Sequence, residues 1–461
     1  SCRFNNDSSD NLSRTPSSSS NRRTFTFSTW FKLSGTDGTF ISAGTDISNG
    51  PLFIIDILSG GNEGILRVED TVSGDNVIGL RTTRLLRDIS AWMHLVVAID
   101  TTQSTASDRV KVYINGTQET SFGTETYCTQ NLELSMNQNH ITRIGTRATS
   151  PSGKYFDGYM AETVLIDGSA LAPTSFGEFD ANTPNVWKPI DVSGLTFGTN
   201  GFYLDYKDSS ALGNDVSGNN NDFTANNLTA VDQSTDTCTN NFATLNPLNA
   251  ASGGTFTLSE GNLRVKGADT IEGYTSSTIG FSQGKWYFEC ESNFNTQGVV
   301  GITFDGDSGQ VADDVRSDRY PGNATYSYGY IFSSGNKITN SSGSSYGNSL
   351  ATGDILGVAI DLDNMKLYFS KNGTFQNSGV PTSGSTGTGA IDLTGSNSTG
   401  FCFVTVGDNN NAGYGQIDFN FGSPFFSISS GNADGNGYGN FEYSVPSGYF
   451  SLCTKNLAEF G

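Results

Sequence analysis

The sequence predicts an all-β protein built from two antiparallel β-sandwiches. The chain has 461 residues, which is more than one ordinary hydrophobic core accommodates. It contains 56 glycines but only 11 prolines, together with many Ser, Thr and Asn residues, and this composition is typical of short strands joined by tight turns. Hydrophobic residues make up 35% of the chain, which is sufficient for packed interiors, and long amphipathic helices are hard to find.

The first part of the chain reads as a series of short strands. From Thr24, side chains alternate in TFTFSTWFKL with the two-residue period of a strand. Further runs follow at PLFIIDIL (51–58), GILRVED (64–70), WMHLVVAID (92–100), RVKVYING (109–116) and YMAETVLID (159–167). Clusters of Gly, Asn, Asp and Ser separate these runs, so we expect a β-sandwich rather than alternating strands and helices.

A polar, Asn-rich region at residues 190–250 follows this strand series. Its larger apolar and aromatic residues are isolated, at Phe197, Phe202, Tyr203, Leu204, Phe223 and Phe242. We expect these residues to dock an extended, ordered connector onto a neighbouring surface, and a freely flexible linker is the alternative.

A second series of strand-like runs begins near Thr255. It comprises TFTLSEGNLRVKG, GKWYFECES, GVVGITF, YSYGYIF, DILGVAIDLD, KLYFSKNG, GFCFVTVGD and QIDFNFG. The predicted domains are therefore a first sandwich at residues 1–189, the extended connector at 190–250 and a second sandwich at 251–461.

The two strand series share a repeated sequence. VAIDTTQSTASDRVKVYINGTQ spans residues 97–118, and VAIDLDNMKLYFSKNGTFQ spans residues 358–376. In each copy a buried strand ends at an Asp-containing turn, and the next strand reaches Asn-Gly. Asn-Gly favours a tight hairpin because both residues accept positive φ at low cost. We therefore interpret Asn115-Gly116 and Asn372-Gly373 as folding elements rather than as ligand contacts.

Charge and cysteine content exclude several functional classes. The formal net charge of -21 argues against a nucleic-acid partner, because phosphate binding requires clustered Lys and Arg. The six cysteines contain no CxxC pair, which disfavours zinc ribbons, and both disulfides and free buried thiols remain open. No apolar run is long enough to predict membrane insertion. Because the chain begins at Ser1 rather than Met, we expect a preceding segment to have been removed or left out.

Motifs in the two halves of the chain resemble those of two known families. The succession TFTFSTWFKL, WMHLVVAID, VKVYINGTQ and GYMAETVLIDGSALAP resembles laminin-G-like domains of the concanavalin A-like type. The second half resembles a SPRY domain through GKWYFECES, GVVGITF, YSYGY and GDILGVAIDLDNMKLYFSKNG. These resemblances imply two jelly-roll β-sandwiches that bind partners through loops at one end or a concave face.

The combination of these domains with the connector resembles a class of marine bacteriophage proteins found among virion and tail-fibre components. The resemblance implies a non-enzymatic fibre, appendage or capsid-decorating protein on the virion surface that adheres to the host. Its expected partners are other virion proteins and a host-surface glycan or receptor, and a homo-oligomer is expected. The alternatives are a purely structural virion component and, from fold analogy alone, a polysaccharide-degrading enzyme.

Catalytic residues are scarce in this sequence. The two histidines, His94 and His140, stand in different segments without a Ser or Cys motif, so nucleophilic triads have no support. Because His94 alternates within a strand, we expect a hydrogen-bonded structural histidine. Glu289 and Glu291 share one face of a strand, but the Glu-x-Asp-x-Glu pattern of glucanases is absent.

One loop carries the residues expected of a calcium site. In FDGDSGQVADD the carboxylates of Asp305, Asp307, Asp313 and Asp314 stand in a Gly-containing loop, and Ca²⁺ prefers such oxygen ligands. The spacing departs from an EF-hand because no Glu stands at the twelfth position. A solvated turn is the alternative, and no other cofactor is expected.

Tyrosines in Asn- and Gly-rich loops are the candidate ligand-binding residues. They are Tyr320, Tyr326, Tyr346 and Tyr414, in RYPGNATYSYGY, NSSGSSYGN and DNNNAGYGQ. Aromatic faces stack on sugar rings, and amides hydrogen-bond to hydroxyl groups, so this composition suits carbohydrate recognition. The same composition also makes adaptable protein-binding loops, and a core position is the alternative for each tyrosine.

Overall fold

Short β-strands supply nearly all of the regular structure in the computed structural model, which describes residues 1–45, 50–148, 154–249, 256–267, 274–293, 298–305, 320–394, 400–408 and 415–461. The chain divides into two compact units, Ser1–Thr239 and Asn240–Gly461. In the described residues each unit is built on two large sheets, and their strand pairs are antiparallel except for one short parallel pair. The predicted fold class of two antiparallel β-sandwiches is therefore confirmed.

The first unit contains a seven-stranded and an eight-stranded sheet among its described residues. Its strands are β1 Cys2–Phe4, β2 Asn11–Arg14, β3 Thr24–Leu33, β4 Gly38–Gly44, β5 Leu52–Ile57, β6 Ile65–Val72, β7 Asp75–Leu85, β8 Met93–Asp100, β9 Val110–Ile114, β10 Thr117–Gln118, β11 Phe122–Thr126, β12 Thr142–Ile144, β13 Gly158–Asp167, β14 Gly177–Phe179, β15 Trp187–Pro189, β16 Phe202–Leu204 and β17 Thr224–Asn226. The seven-stranded sheet has the order β1-β13-β3-β8-β9-β10, with β16 also paired to β13, and the eight-stranded sheet has the order β11-β7-β6-β5-β4-β12-β2-β17. β14 and β15 form a separate hairpin.

The main core of the first unit lies between its two large sheets. On β9 the side chains of Val110, Val112 and Ile114 are buried in this core, whereas Lys111 and Tyr113 point to the opposite side and are half-buried. This alternation follows the two-residue period of the sequence. The outer side of the seven-stranded sheet is also covered, by a second apolar cluster that includes Val96 and Val164 from the sheet.

The covering cluster is built by residues of the predicted connector. Val192 and Phe197 pack over the seven-stranded sheet beside Tyr203 of β16. β16 pairs with β13, and β17 pairs with β2. Residues 190–239 therefore belong to the first unit, and the described residues 240–249 belong to the second.

Two buried ion pairs hold the end of this segment against the first sandwich. Asp232 lies 2.6 Å from the Arg3 guanidinium, and Asp236 lies 2.8 Å from the Lys32 ammonium. The Lys32 and Asp236 side chains are each only 1% exposed, so water does not screen their attraction.

The second unit has a nine-stranded and a six-stranded sheet among its described residues. Its strands are β18 Phe256–Ser259, β19 Arg264–Gly267, β20 Tyr274–Phe281, β21 Lys285–Ser292, β22 Gly298–Phe304, β23 Ser327–Ile331, β24 Asn336–Thr339, β25 Ser342–Ser345, β26 Ile355–Asp361, β27 Lys366–Lys371, β28 Thr374–Phe375, β29 Ile391–Asp392, β30 Cys402–Asp408, β31 Gln416–Asn420 and β32 Phe450–Ser451. A helix, α1 Thr454–Phe460, ends the chain. The nine-stranded sheet has the order β18-β19-β31-β21-β26-β27-β28, with β29 on β27 and β32 on β21, and the six-stranded sheet has the order β20-β30-β22-β23-β24-β25.

The segment that follows β31 covers the outer side of the nine-stranded sheet. Phe441 and Tyr449 from this segment are buried against Tyr287 and Tyr368 of the sheet. In both units, therefore, a chain segment that follows the sandwich strands covers one outer sheet face with aromatic side chains. These covered faces are not available to a partner.

Candidate functional site

His94 is held in a buried aromatic cluster, and both of its ring nitrogens are hydrogen-bonded. Its ring stacks on Trp30, with ring centroids 4.7 Å apart, and lies edge to edge with Trp187, whose ring centroid is 6.1 Å away. Its Nδ1 accepts a hydrogen bond from Trp187 Nε1 at 3.0 Å, so in the neutral ring Nε2 carries the proton, and Nε2 donates to Ser28 Oγ at 2.8 Å. Burial lowers the pKa of His94 to about 3, which keeps the ring neutral. The expectation of a structural histidine is confirmed.

Glu289 is fully buried and anchors the covering segment of the second unit. Its carboxylate accepts hydrogen bonds from the backbone N–H groups of Glu442 and Tyr443 and from the Tyr287 hydroxyl, all at 2.9 Å. Burial raises the pKa of Glu289, as it does for the half-buried Glu291 on the same strand. Because Glu289 has no open face, the pair does not present the two accessible carboxyl groups that glycoside hydrolysis requires.

The predicted calcium loop falls mainly outside the described residues. Asp307, Asp313 and Asp314 lie there, and only Asp305 is described. Its Oδ1 accepts a hydrogen bond from the backbone N–H of Phe401 at 2.6 Å. Within the described ranges no group of three or more His, Cys, Asp or Glu side chains is arranged to hold a metal ion. The calcium site stays a prediction.

All three candidate tyrosines that the structure describes pack against apolar side chains, and Tyr346 is the most buried of them. The Tyr346 ring is 5% exposed, contacts Tyr330 and Phe369, and its hydroxyl donates to the Gly389 carbonyl at 2.9 Å. Tyr346 thus presents no ring face on which a ligand can stack. Tyr320 is half-buried against an apolar cluster that β22, β23 and β24 form.

Tyr326 and Tyr414 are the other two candidate tyrosines. Tyr326 is half-buried at the start of β23 and packs against the main core of the second unit. Tyr414 lies outside the described residues. Tyr326 is thus the described candidate that stands at a strand end together with Asp305.

β22, β23 and β30 meet at one end of the second sandwich. The backbone N–H of Asp305 donates to the Phe401 carbonyl at 2.9 Å, which reciprocates the bond from Phe401 to the Asp305 carboxylate. The neighbouring Phe304 N–H donates to the Tyr326 carbonyl at 3.0 Å. Phe401 is 52% exposed, and the half-buried Phe403 lies two residues further on the same side of β30. We refer to this end of the sandwich as the rim, and it comprises Asp305, Tyr326, Phe401 and Phe403.

The rim combines residues that sequence analysis assigned to separate sites. Asp305 was a predicted metal ligand and Tyr326 a predicted ring for stacking, and the ends of β22 and β23 bring them together. Phe401 was read only as part of the run GFCFVTVGD. Its exposure depends on its place one residue before β30, which the alternation of that run does not reveal.

The six cysteines are all free thiols. Cys2, Cys290 and Cys402 are completely buried, and burial raises the pKa of each thiol well above its ordinary value. Of the two possibilities left by the sequence, the structure thus has the unpaired thiols. Among the described residues, no helix combines the length and the apolar character needed to span a bilayer.

Two family models match the chain. The model described as "Concanavalin A-like lectin/glucanases superfamily" matches residues 6–174, and the model described as "SPRY domain" matches residues 285–391. The first unit therefore contains a concanavalin A-like domain of the laminin-G-like type and the second a SPRY domain, as the motifs predicted.

The curated relatives of this chain include proteins of fly and human. The chain is 34% identical over 125 residues to "Ran-binding proteins 9/10 homolog" of Drosophila melanogaster, a match that covers 25% of this chain and 12% of that protein. It is 33% identical over 125 residues to "Ran-binding protein 9" of Homo sapiens, again over 25% of this chain and over 16% of that protein. The chain thus spans less than a fifth of the length of these two relatives.

Solved SPRY structures are also similar to this chain. The SPRY domain of human HERC1 is matched at 15% identity with a TM-score of 0.29, over 38% of this chain and 96% of that one. The TRIM65 PSpry domain is matched at 16% identity with a TM-score of 0.28, over 39% of this chain and 91% of that one.

The expectation of a phage virion protein is wrong. The relatives that the chain matches include Ran-binding proteins of fly, zebrafish, mouse and human. This finding overturns the virion localisation, the adhesion function and the expected virion and host-surface glycan or receptor partners. The resemblance to phage proteins rested on the combination of domains and connector, whereas the domain assignments rested on motifs within each domain, and only the latter are supported.

Proposed function

We propose that this chain is a non-enzymatic recognition protein that binds a protein partner at the rim of its SPRY domain. The observation that carries this proposal is the exposure of Phe401, with 52% of its surface free, directly beside the Asp305 carboxylate. Aromatic side chains are enriched at protein interfaces, where they supply large contact areas and often dominate the binding energy.

Hydrogen bonds join the strand ends that form the rim. The paired hydrogen bonds between Asp305 and Phe401 fix the backbone from which the exposed ring projects. A backbone that is already held in place loses less conformational entropy on binding, so more of the contact energy appears as affinity. Asp305 and the net charge of -21 favour a partner segment that is apolar with a basic flank.

A recognition function fits the described residues better than catalysis does. His94 donates rather than accepts at Ser28, and Glu289 is used to hold backbone amides. Each of these candidate catalytic groups therefore already has a structural task.

Ran is the first partner to test, because the relatives carry it in their names. In calorimetric titrations with purified Ran, we expect the unaltered chain to bind and F401A to weaken the affinity about ten-fold or more, as loss of a central aromatic contact does. V380A is the matched control, because Val380 is 43% exposed elsewhere in the second unit. Absence of Ran binding would exclude Ran as the partner. Equal losses of affinity in F401A and V380A would exclude the rim as the binding site.

A further inference from the structure

A pocket of about 470 Å³ lies in the first unit and has no part in the function proposed above. It is formed entirely by residues between Ser209 and Ala230, within the segment that the sequence presented as a connector. Its volume falls within the range of about 300–1,000 Å³ that is usual for ligand pockets.

The floor of the pocket is apolar and fixed. Leu212, Phe223 and Leu228 line it, and all three are buried members of the main core of the first unit. The Phe223 ring also packs edge-on against Phe202 of β16, with centroids 4.8 Å apart. A floor that is continuous with the core does not collapse when the pocket is empty.

One wall of the pocket is a capped turn. The Asp208 carboxylate accepts hydrogen bonds from the backbone N–H of Ser210 at 2.9 Å and from its hydroxyl at 2.6 Å. Both Ser209 and Ser210 line the pocket from this turn. Their hydroxyl groups and backbone place polar atoms at the mouth above the apolar floor.

A second part of the pocket wall is held by a buried carboxylate. Thr229 donates from its backbone N–H and its hydroxyl to Asp232, at 2.7 and 3.1 Å, and Asp232 is ion-paired with the buried Arg3. Both walls are therefore set before a ligand binds, which lowers the entropic cost of binding.

Asp222 places a carboxylate at the mouth of the pocket, within electrostatic reach of Arg14. The Oδ1 of Asp222 accepts a hydrogen bond from the backbone N–H of Asp215 at 2.9 Å. Asp208 stands next to the lining serines, and no Lys, Arg or His belongs to the lining in the described part of the chain. An apolar floor below a carboxylate at the mouth is complementary to an apolar group next to a cation.

We propose that this pocket binds a peptide segment in which one large apolar side chain is flanked by a basic residue. The apolar side chain occupies the floor formed by Leu212, Phe223 and Leu228, and the basic residue lies at the mouth near Asp222. The net charge of -21 attracts such a segment from solution.

Calorimetric titration of the full chain at low salt with three capped pentapeptides tests this proposal. The peptides carry Arg-Phe-Arg, Glu-Phe-Glu or Arg-Ala-Arg between two glycines. We expect Arg-Phe-Arg to bind and each of the others to bind about ten-fold more weakly or not at all, because each lacks one complementary feature. Equal binding of all three peptides, or no binding of Arg-Phe-Arg, would overturn the proposal.

Variants assign the binding to this pocket. A211W and A230W place a large ring on exposed lining residues and should abolish binding, whereas A181W, at an exposed alanine outside the lining, should not. D222N keeps the acceptor for Asp215 and should weaken binding several-fold through the lost charge, whereas the exposed D191N should have no effect. Unchanged melting temperatures show that each variant is folded. Unchanged affinity in A211W and A230W, or an equal loss in the two control variants, contradicts the proposal.

Discussion

Asn115 in the first unit and Asn372 in the second make the same two hydrogen bonds. Each backbone N–H donates to a carbonyl on the preceding strand at 2.9 Å, that of His94 in one unit and that of Ile355 in the other. Each Oδ1 accepts from the backbone N–H of that same residue, at 2.7 and 2.9 Å. Both asparagines have φ of 48°. The repeated sequence therefore builds one hairpin twice, as the Asn-Gly turns predicted.

Replacing either asparagine should destabilise its own unit. N115A and N372A remove the side-chain acceptor and place alanine at positive φ, so we expect a loss of about 2 kcal/mol in the free energy of unfolding for each. Urea denaturation measures the loss, and amide hydrogen exchange assigns it to one unit. N115D and N372D keep the acceptor and should lose about 0.5 kcal/mol or less, as should N62A at an exposed asparagine. Equal losses in N62A and N115A would contradict this role.

The glycines that follow these asparagines should tolerate no side chain. A Cβ on Gly116 would lie 2.5 Å from the Trp187 ring, and one on Gly373 would lie 2.5 Å from the Tyr443 ring. Both glycines also have positive φ, 77° and 76°. We expect G116A and G373A each to cost about 2 kcal/mol or more, measured by urea denaturation. G218A is the control, because Gly218 also has a positive φ but is surrounded by open space. If G218A lost as much stability as G116A, the contact with the Trp187 ring would have no role.

The buried ion pair between Lys32 and Asp236 should be sensitive to removal of either partner. Trp92 Nε1 also donates to Asp236 at 2.8 Å, so the carboxylate is held on two sides. Removing one charge leaves the other buried without compensation, and we expect K32M or D236N to cost about 3–5 kcal/mol. E133Q removes an exposed pair with Arg22 and should cost at most about 1 kcal/mol. Similar melting temperatures for K32M and E133Q would show that the buried pair contributes little.

The stability of the first unit should fall between pH 4 and pH 7 because of Asp70. This carboxyl is fully buried, and burial raises its pKa from 3.8 to about 7. The folded state therefore keeps the proton over a range in which the unfolded chain has lost it, so the free energy of unfolding decreases as the pH rises. Between a pH well below 3.8 and a pH well above 7, the total decrease in the free energy of unfolding is on the order of 4 kcal/mol.

D70N isolates this contribution from those of other carboxylates. Asparagine keeps an acceptor for the Ser135 N–H, which lies 2.9 Å from Asp70. Urea denaturation at several pH values should show a flatter dependence in D70N and a gain relative to the unaltered chain above pH 7. Parallel pH profiles for the two proteins would contradict the raised pKa.

The sequence predicted those elements whose signal is local. β8 and β26 were recognised because an apolar run precedes an Asp turn, and the hairpins because Asn-Gly selects one turn type. β7, Asp75–Leu85, was not predicted, because only its central residues are buried and its ends carry polar and charged side chains. Its strand conformation comes from pairing with β6 and β11, which no local pattern encodes.

Less of the candidate site could be predicted from the sequence, because tertiary packing determines which side chains are exposed to solvent. Tyr346 stands in a Ser- and Gly-rich stretch that is typical of a loop, yet its ring is buried. Phe401 stands next to an apolar strand, yet it is exposed at the sheet end. Sequence composition therefore identified the right kinds of residue but did not show which aromatic rings face solvent.

Amide hydrogen exchange of the full chain with and without purified Ran tests recognition at the rim most directly. If the partner binds there, peptides that cover residues 400–405 and 325–331 should gain protection, because bound protein excludes water from the ends of β23 and β30. Peptides from the covered face, at residues 441–449, should not change. Protection confined to regions away from the rim, in a complex that calorimetry shows to form, would contradict the proposed site.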